Sequence, residues 1–362
     1  MTDSAQSVRV NLGPRSYTIV IDAGNLAEAG RFVAERAPAD HAVVITDEHV
    51  EKPHAAAVAE SLAESLSRID LLVIEPGELA KSIETAAALW ERLLQLGTDR
   101  QSVVVAVGGG VVGDLAGFVA ATFARGLRFV QVPTTLLAQV DSSVGGKVGI
   151  NLPEAKNMVG AFLQPLGVLV DTTTLETLPR REYLAGLGEV VKYGVILDAE
   201  LFAYLESHVA ELLARDHESL RHVITRCCRL KGDVVEQDER EETGLRAVLN
   251  YGHTFAHAFE ALTGYGTLLH GEAVAMGMVC ASRLAERLGR VDARFTARQC
   301  ELLSTLGLPS KPPPLEPDDV LRVMAHDKKI EHGHLRFVLP THMGKCELVE
   351  AVNPDEVRAA IY

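Results

Sequence analysis

Val103-Val104-Val105-Ala106-Val107-Gly108-Gly109-Gly110-Val111-Val112-Gly113-Asp114 is the stretch whose reading decides the fold. An unbroken run of β-branched and small apolar residues is the mark of a strand buried on both faces, and the glycines after it turn the chain into a helix. Such a helix begins with open backbone N–H groups and the positive end of its dipole, so Gly109 to Asp114 is a candidate cradle for a pyrophosphate. The pattern departs from the usual dinucleotide fingerprint. It does not lie on the first strand, and no acidic residue follows about 20 positions later. Asp47, closing the earlier run Val43 to Thr46, is the candidate for the adenosine hydroxyls instead.

Outward from this segment the same signature recurs. Ala42 to Thr46, Leu71 to Ile74, Phe129 to Val132 and Val168 to Val170 read as strands, and amphipathic stretches such as Lys81 to Leu96, ended by Gly97, read as helices between them. Alternation of this kind predicts a largely parallel sheet covered by helices. Pro76-Gly77-Glu78-Leu79-Ala80-Lys81 and Pro133-Thr134-Thr135 fall at predicted strand ends, where open α/β sheets collect ligands. The glycine-rich segment Gln139 to Asn157, with Asp141, Lys147, Lys156 and Asn157, reads as a binding loop. From about Thr177 the β-branched runs give way to helical patterns over Leu201 to Leu213, Ser219 to Gln237, Thr254 to Leu262 and Glu272 to Leu288. Pro309 to Pro317 reads as a connection before a final helix, and Leu335 to Leu339 with Lys345 to Leu348 as a small hairpin. Two domains are expected, 1–176 and 177–362, which the length of 362 residues and 47% hydrophobic content can support.

A formal net charge of −14 argues against nucleic acid as the main partner, because phosphate backbones reward broad basic surfaces. The most apolar stretch, Val103 to Ala124, is interrupted by glycines and Asp114, and Met1 to Val10 lacks the build of a signal peptide. The five cysteines show no Cys-x-x-Cys spacing, which fits reduced thiols in a cytoplasm.

Three short motifs in the second half carry metal chemistry: Gly188-Glu189-Val190-Val191-Lys192-Tyr193-Gly194, Asn250-Tyr251-Gly252-His253-Thr254, and Leu269-His270-Gly271-Glu272. One carboxylate and two neutral imidazoles make a ligand set for a zinc-like ion that keeps a position open to substrate. With His257 there are three histidines in this set, and spacing leaves open which two of them ligate. Lys231, Arg246, Asn250 and His326-Asp327-Lys328-Lys329 add polar and basic residues around the motifs, so an acidic protein here gathers positive charge suited to an anionic small molecule.

Taken in order from Asp47 to Lys329, these motifs resemble the 3-dehydroquinate synthase family of sugar phosphate cyclases. The resemblance implies a Rossmann-like N-terminal domain, a mostly α-helical C-terminal domain, bound NAD and a zinc or cobalt ion. It implies Glu189, His253 and His270 as metal ligands, with His257 left for proton transfer or orientation. Cofactor positions would be Asp47, Glu78, Lys81, Gly109, Gly110, Val111, Val112, Gly113, Asp114, Thr134, Thr135, Asp141, Lys147, Lys156, Thr174, Leu175, Glu176 and Thr177. Substrate positions would be Lys147, Lys156, Asn157, Lys192, Lys231, Arg246, Asn250 and one of Lys328 or Lys329. Arg125 resembles a residue that reaches a neighbouring subunit, so a homodimer is implied, and His49 stands where many members carry a small polar residue. The implied activity is that of a lyase of the shikimate pathway, with NAD used catalytically. Other sugar phosphate cyclases, glycerol-type dehydrogenases and a noncatalytic NAD-binding module are the competing readings.

Overall fold

The computed structural model describes residues 5–153, 155–264, 266–326 and 335–362. The chain divides into two compact units, Met1–Pro179 with Leu220–Arg240, and Arg180–Ser219 with Glu241–Tyr362.

Unit 1 opens with β1 (Gln6–Val10) and β2 (Tyr17–Asp22). There follow α1 (Ala29–Arg36), β3 (His41–Asp47), α2 (Ala56–Ala63), β4 (Arg68–Ile74), α3 (Ile83–Gln95), β5 (Val103–Gly108), α4 (Gly110–Thr122) and β6 (Arg128–Pro133). A hairpin of β7 (Lys147–Leu152) and β8 (Ala155–Phe162) then precedes β9 (Gly167–Asp171). The main sheet runs β1-β2-β9-β6-β5-β3-β4, antiparallel only between β1 and β2. Every residue of β5 is buried, as its unbroken apolar run requires. The two-residue period of a strand sends Val104 and Ala106 to one face, packed with Leu89 and Leu93 of α3 and Val112 and Leu115 of α4. Val103, Val105 and Val107 go to the other, with Phe32 and Val33 of α1 and Val58 and Leu62 of α2. The chain moves from β3 outward to β4 and returns to place β5 on the other side of β3. The carboxyl ends of β3 and β5, at Asp47 and Gly108, therefore flank the point where strand order reverses, the place where such sheets take ligands.

The expected strands are all present, but the segment 139–157 is not a loop throughout: after a helical turn over Ala138–Ser142 it forms β7 and the start of β8. Glycine hid the pairing. Gly149 and Gly160 sit opposite each other, and a Cβ on Gly160 would lie 2.4 Å from the Val148 carbonyl oxygen, so side chains that advertise a strand have no room there. The helix His217–Gln237, α8 in chain order, clusters over Leu220–Gln237 with unit 1 although it lies far into the second half of the sequence. Its thiol Cys228 donates to the Gln139 carbonyl at 3.2 Å, and Glu236 accepts from the Asn11 backbone N–H at 2.9 Å.

Unit 2 contains α5 (Arg180–Leu197), α6 (Ala199–Ser207), α7 (Val209–Leu213), α9 (His253–Thr263), α10 (His270–Arg287), α11 (Ala293–Thr305) and α12 (Pro317–His326). A hairpin of β10 (Arg336–His342) and β11 (Lys345–Glu350) and then α13 (Pro354–Ile361) complete it, so α12 is not the final helix. The stretch Leu201 to Leu213 breaks at His208, whose ring stacks on Tyr204 at 3.8 Å. No helix among the described residues is long and apolar enough to cross a membrane.

Helices α5, α9 and α10 meet backbone to backbone. A Cβ on Gly271 would lie 1.8 Å from the carbonyl oxygen of Ala185, one on Gly188 would lie 2.7 Å from that of Gly271, and one on Gly277 would lie 2.1 Å from that of Gly252. Gly252 itself has φ +79°, a left-handed turn into α9 that suits glycine. The substitution Gly271→Ala should therefore cost about 3 kcal/mol, the upper part of the range for overpacking, seen as a lower urea midpoint. A wild-type midpoint would show that α5 and α10 can separate without loss.

Candidate functional site

The glycine contacts decide where the metal-type residues go, because each of these side chains is the immediate neighbour of one of those glycines. Glu189 follows Gly188, His253 follows Gly252 and His270 precedes Gly271. Glu189 Oε1 lies 3.8 Å from His253 Nε2 and 3.6 Å from His270 Nε2. One ligand atom from each of the three residues falls within 4.8 Å of the others. A tetrahedral zinc with ligands at about 2.1 Å sets them roughly 3.4 Å apart, close to the two distances from Glu189.

The surroundings fit a cation. Glu189 is 0% exposed; its Oε2 is ion-paired with Lys192, one turn on, while Oε1, which faces the two histidines, has no hydrogen-bond partner among the described residues. A buried carboxylate is costly unless it is paired or coordinates a metal. His253 Nδ1 is 3.1 Å from the Tyr251 carbonyl, which can only accept, so Nδ1 carries the proton and Nε2 offers its lone pair toward Glu189. Burial alone would push the pKa of His270 down, but the Glu260 and Glu189 carboxylates outweigh it and hold the pKa above its ordinary value. A cation binding there would displace that proton. His257 stands beside the group, its ring centroid 5.7 Å from that of His253 and 6.3 Å from that of His270. Of the three histidines, the structure thus gathers His253 and His270 about Glu189.

The start of α10 is braced by residues whose role the sequence reading missed. Glu272 accepts the Leu269 backbone N–H at 2.9 Å and receives both Nε and Nη2 of Arg181 at 2.6 and 2.7 Å. Arg181 also donates to the Thr267 carbonyl at 2.8 Å. A glutamate three residues into a helix is a capping signal that could have been read. Glu260, buried on α9 with Oε1 3.6 Å from His270 Nδ1, carried no comparable signal.

The expected basic residues divide between the units. In unit 2, Lys192 and Arg246 are buried, Arg246 Nε lying 3.5 Å from Glu241. Asn250 ends the short helical turn Leu245–Asn250 just before the Tyr251-Gly252-His253 corner. In unit 1, Lys231 on α8 reaches Asp141, with Nζ 2.6 Å from Oδ1 and 2.7 Å from the backbone carbonyl. Lys147 is exposed at the start of β7, and Lys156 and Asn157 are on β8. Arg125 is exposed after α4 in a run with Ala124 and Gly126 at positive φ, its own being +66°. Lys328 and Lys329 lie outside the described residues.

At the sheet's carboxyl edge, α4 opens with the N–H groups of Gly110, Val111 and Val112, before Gly113 N–H bonds to the Gly109 carbonyl at 3.0 Å. A Cβ on Gly109 would press on Thr135 at 3.0 Å. The neighbouring Thr134 hydroxyl is buried without a hydrogen-bond partner among the described residues, an orphaned donor suited to a ligand, whereas Thr135 accepts the Ala138 N–H at 3.2 Å. Asp47 Oδ1 accepts from the N–H groups of His49 and Val50 at 2.9 and 3.1 Å. Thr174 to Thr177 form the turn after β9: Thr174 donates to the Asp171 carbonyl at 2.7 Å and Thr177 meets His54 Nε2 at 2.7 Å, with Leu175 buried and Glu176 exposed.

Glu78, Lys81, Asp114 and Asn157 come together as well. Lys81 Nζ is 2.6 Å from Asp114 and also donates to the Asn157 side chain. Asn151, absent from the sequence-derived set, links them by donating to Glu78 at 2.8 Å and accepting the Asn157 N–H at 2.8 Å. Burial raises the Asp114 pKa above the usual carboxylate range, although Lys81 opposes this. Removing that opposition in Lys81→Met raises it further, so the variant's carboxyl keeps its proton to a higher pH folded than unfolded. We expect a loss of about 2 kcal/mol at pH 8, discounted because Asp114 is partly exposed, shrinking toward pH 4. Urea unfolding at both pH values checks this; a loss independent of pH would detach the effect from Asp114.

Residues 71–185 match the model for the 3-dehydroquinate synthase N-terminal family and residues 186–330 that for the 3-dehydroquinate synthase C-terminal family. The chain is 50% identical over 367 aligned positions to a 3-dehydroquinate synthase of Rhodopirellula baltica, covering 100% of this chain and 98% of that protein. A 2-deoxy-scyllo-inosose synthase solved with carbaglucose-6-phosphate, NAD+ and Co2+ superposes with a TM-score of 0.89 at 28% identity, over 98% of this chain and 99% of the other. A 2-epi-5-epi-valiolone synthase from Streptomyces hygroscopicus, with NAD+ and Zn2+ bound, does so at 0.87 and 29%, over 95% of each. The chain belongs to the 3-dehydroquinate synthase family.

Proposed function

We propose that this chain converts 3-deoxy-D-arabino-heptulosonate 7-phosphate into 3-dehydroquinate and inorganic phosphate, with NAD regenerated in each turnover and one divalent ion, zinc or cobalt, bound. The observation that carries the reading is the convergence of Glu189, His253 and His270 in a chain 50% identical to a 3-dehydroquinate synthase over its full length. The two cyclases solved with NAD+ and Co2+ or Zn2+ support the choice of cofactors.

Glu189, His253 and His270 would hold the ion, and the open amides of Gly110 to Val112 with the orphaned Thr134 hydroxyl would hold the NAD pyrophosphate. When bound, NAD supplies a reversible oxidant for the C5 hydroxyl and the ion a Lewis acid for its oxygen. A ketone at C5 acidifies the hydrogen on C6, so phosphate can leave and the ring can later reclose by an aldol step. Arg246 grips an anionic group through its planar guanidinium, and Lys147, Lys156, Lys192 and Lys231 add compact positive charge for the phosphate and carboxylate. Asn157 and Asn250 supply neutral hydrogen bonds that orient the hydroxyls, and His257, beside the metal-type residues, moves a proton. Arg125 completes the phosphate site of a second copy in a homodimer, and Lys328 or Lys329 adds a further cation. Cofactor work thus belongs to 1–176 and metal work to 177–362. A cytoplasmic location agrees with the free thiols of all five cysteines.

Incubated with this substrate, NAD and Zn2+, the protein should release phosphate over many turnovers with no stoichiometric rise in NADH absorbance, and deuterium placed at C5 should remain on the corresponding carbon of the product. NADH accumulating in step with product would sink the cyclase reading and favour a dehydrogenase. Arg246→Ala should weaken substrate binding by about 2 to 5 kcal/mol, as for truncation of one partner of a buried charge pair, while NAD affinity, read by calorimetry, stays unchanged. Equal weakening of both would take Arg246 out of the substrate's contacts.

A further inference from the structure

His253 and His270 are held in different ways, and the difference points to a residue outside the ligand set. His253 is aimed by a backbone carbonyl, that of Tyr251, on its Nδ1. The Nδ1 of His270 instead faces the carboxylate of Glu260, 3.6 Å from Oε1, while its Nε2 faces Glu189 at the same 3.6 Å. Glu260 is 4% exposed, and nothing in the proposed reaction uses it. It lies seven residues after His253, two turns along α9 and so on the same face as that ligand.

We infer that Glu260 is the positioning residue for His270: its carboxylate faces the Nδ1–H, holds the ring with Nε2 free to ligate, and adds a negative charge beside the ligand set. Lys192 offsets the charge of Glu189, so a second carboxylate near the ligand set helps to balance the two charges of a divalent ion among Glu189, His253 and His270. A carboxylate behind a ligating imidazole raises its basicity and holds its orientation, and losing such a partner typically lowers metal affinity about 10- to 100-fold. Glu260 makes no contact with the substrate in this scheme and acts only through His270.

The inference rests on the metal reading above, and its test keeps the two separate. Zinc affinity of the full chain is measured by competition with a chromophoric chelator, and the visible spectrum is recorded after loading with Co2+, for the wild type, Glu260→Gln, Glu260→Ala, His270→Ala and the double variant Glu260→Ala with His270→Ala. Glu260→Ala should lose about 10- to 100-fold in zinc affinity, Glu260→Gln, which keeps an acceptor but no charge, should fall between it and the wild type, and both should shift the cobalt bands. Added to His270→Ala, the Glu260→Ala change should cost nothing more, since the side chain through which it acts is gone. If the wild type binds no zinc, or His270→Ala binds it as well as the wild type, the metal reading fails. If those two behave as expected but Glu260→Ala binds zinc within twofold of the wild type, or loses the same factor with and without His270, the role assigned to Glu260 is overturned. Should Glu260→Ala fail to fold, the isosteric Glu260→Gln decides by the same comparison, alone and combined with His270→Ala.

Discussion

Bare backbone touches bare backbone where α5, α9 and α10 cross, and the arrangement of unit 2 depends on that contact. An added Cβ would meet a carbonyl oxygen at 1.8 to 2.7 Å on Gly188, Gly271 and Gly277, and atoms of Met278 at 2.8 Å on Gly252, so no other residue fits there without movement. Side chains attached next to such a crossing emerge only a few ångströms apart. Glu189, His253 and His270 are those side chains, so the same constraint that packs the helices also gathers three donors about one point. The brace of Arg181 on Glu272 then fixes the first turn of α10, and with it His270.

Charge is handled with equal economy. The chain is strongly acidic, yet its buried lysines form mixed pairs: Lys192 with Glu189, Lys81 with Asp114, Lys231 with Asp141. A buried pair of this kind adds little net stability because desolvation offsets attraction, but stranding one member is expensive. Such pairs hold cations and carboxylates at fixed positions in a protein whose formal net charge is −14.

Unit 1 solves a different problem, the presentation of backbone amides. Its parallel sheet buries β5 on both faces, and the reversal of strand order beside β3 leaves the carboxyl ends of these strands without a crossing helix. The opening of α4 and the orphaned hydroxyl of Thr134 occupy that edge. Helix α8 joins the unit late in the chain and brings Lys231 to Asp141, so residues from distant parts of the sequence complete one polar surface.

By itself the sequence determined the strands β3, β4, β5, β6 and β9, the helical second half and the family, because long apolar runs and ordered short motifs are local features that survive without coordinates. It also marked Glu189, His253, His257 and His270 as metal-type residues, but helical spacing put His253 and His257 on one face equally well. The family resemblance chose between them without a physical reason; the tertiary structure supplies one, through the turn at Gly252 and the crossing of α9 on α10, which aim His253 at Glu189 and leave His257 to one side. The hairpin β7–β8 was hidden because its paired glycines carry no side chain to signal a strand, and α8 because amphipathic periodicity records that a helix has a buried face but not what covers it. Glu260 and Asn151 were illegible for the same reason: each matters through a partner remote in sequence or on a neighbouring element, and distance in space is the one quantity that a single sequence does not carry.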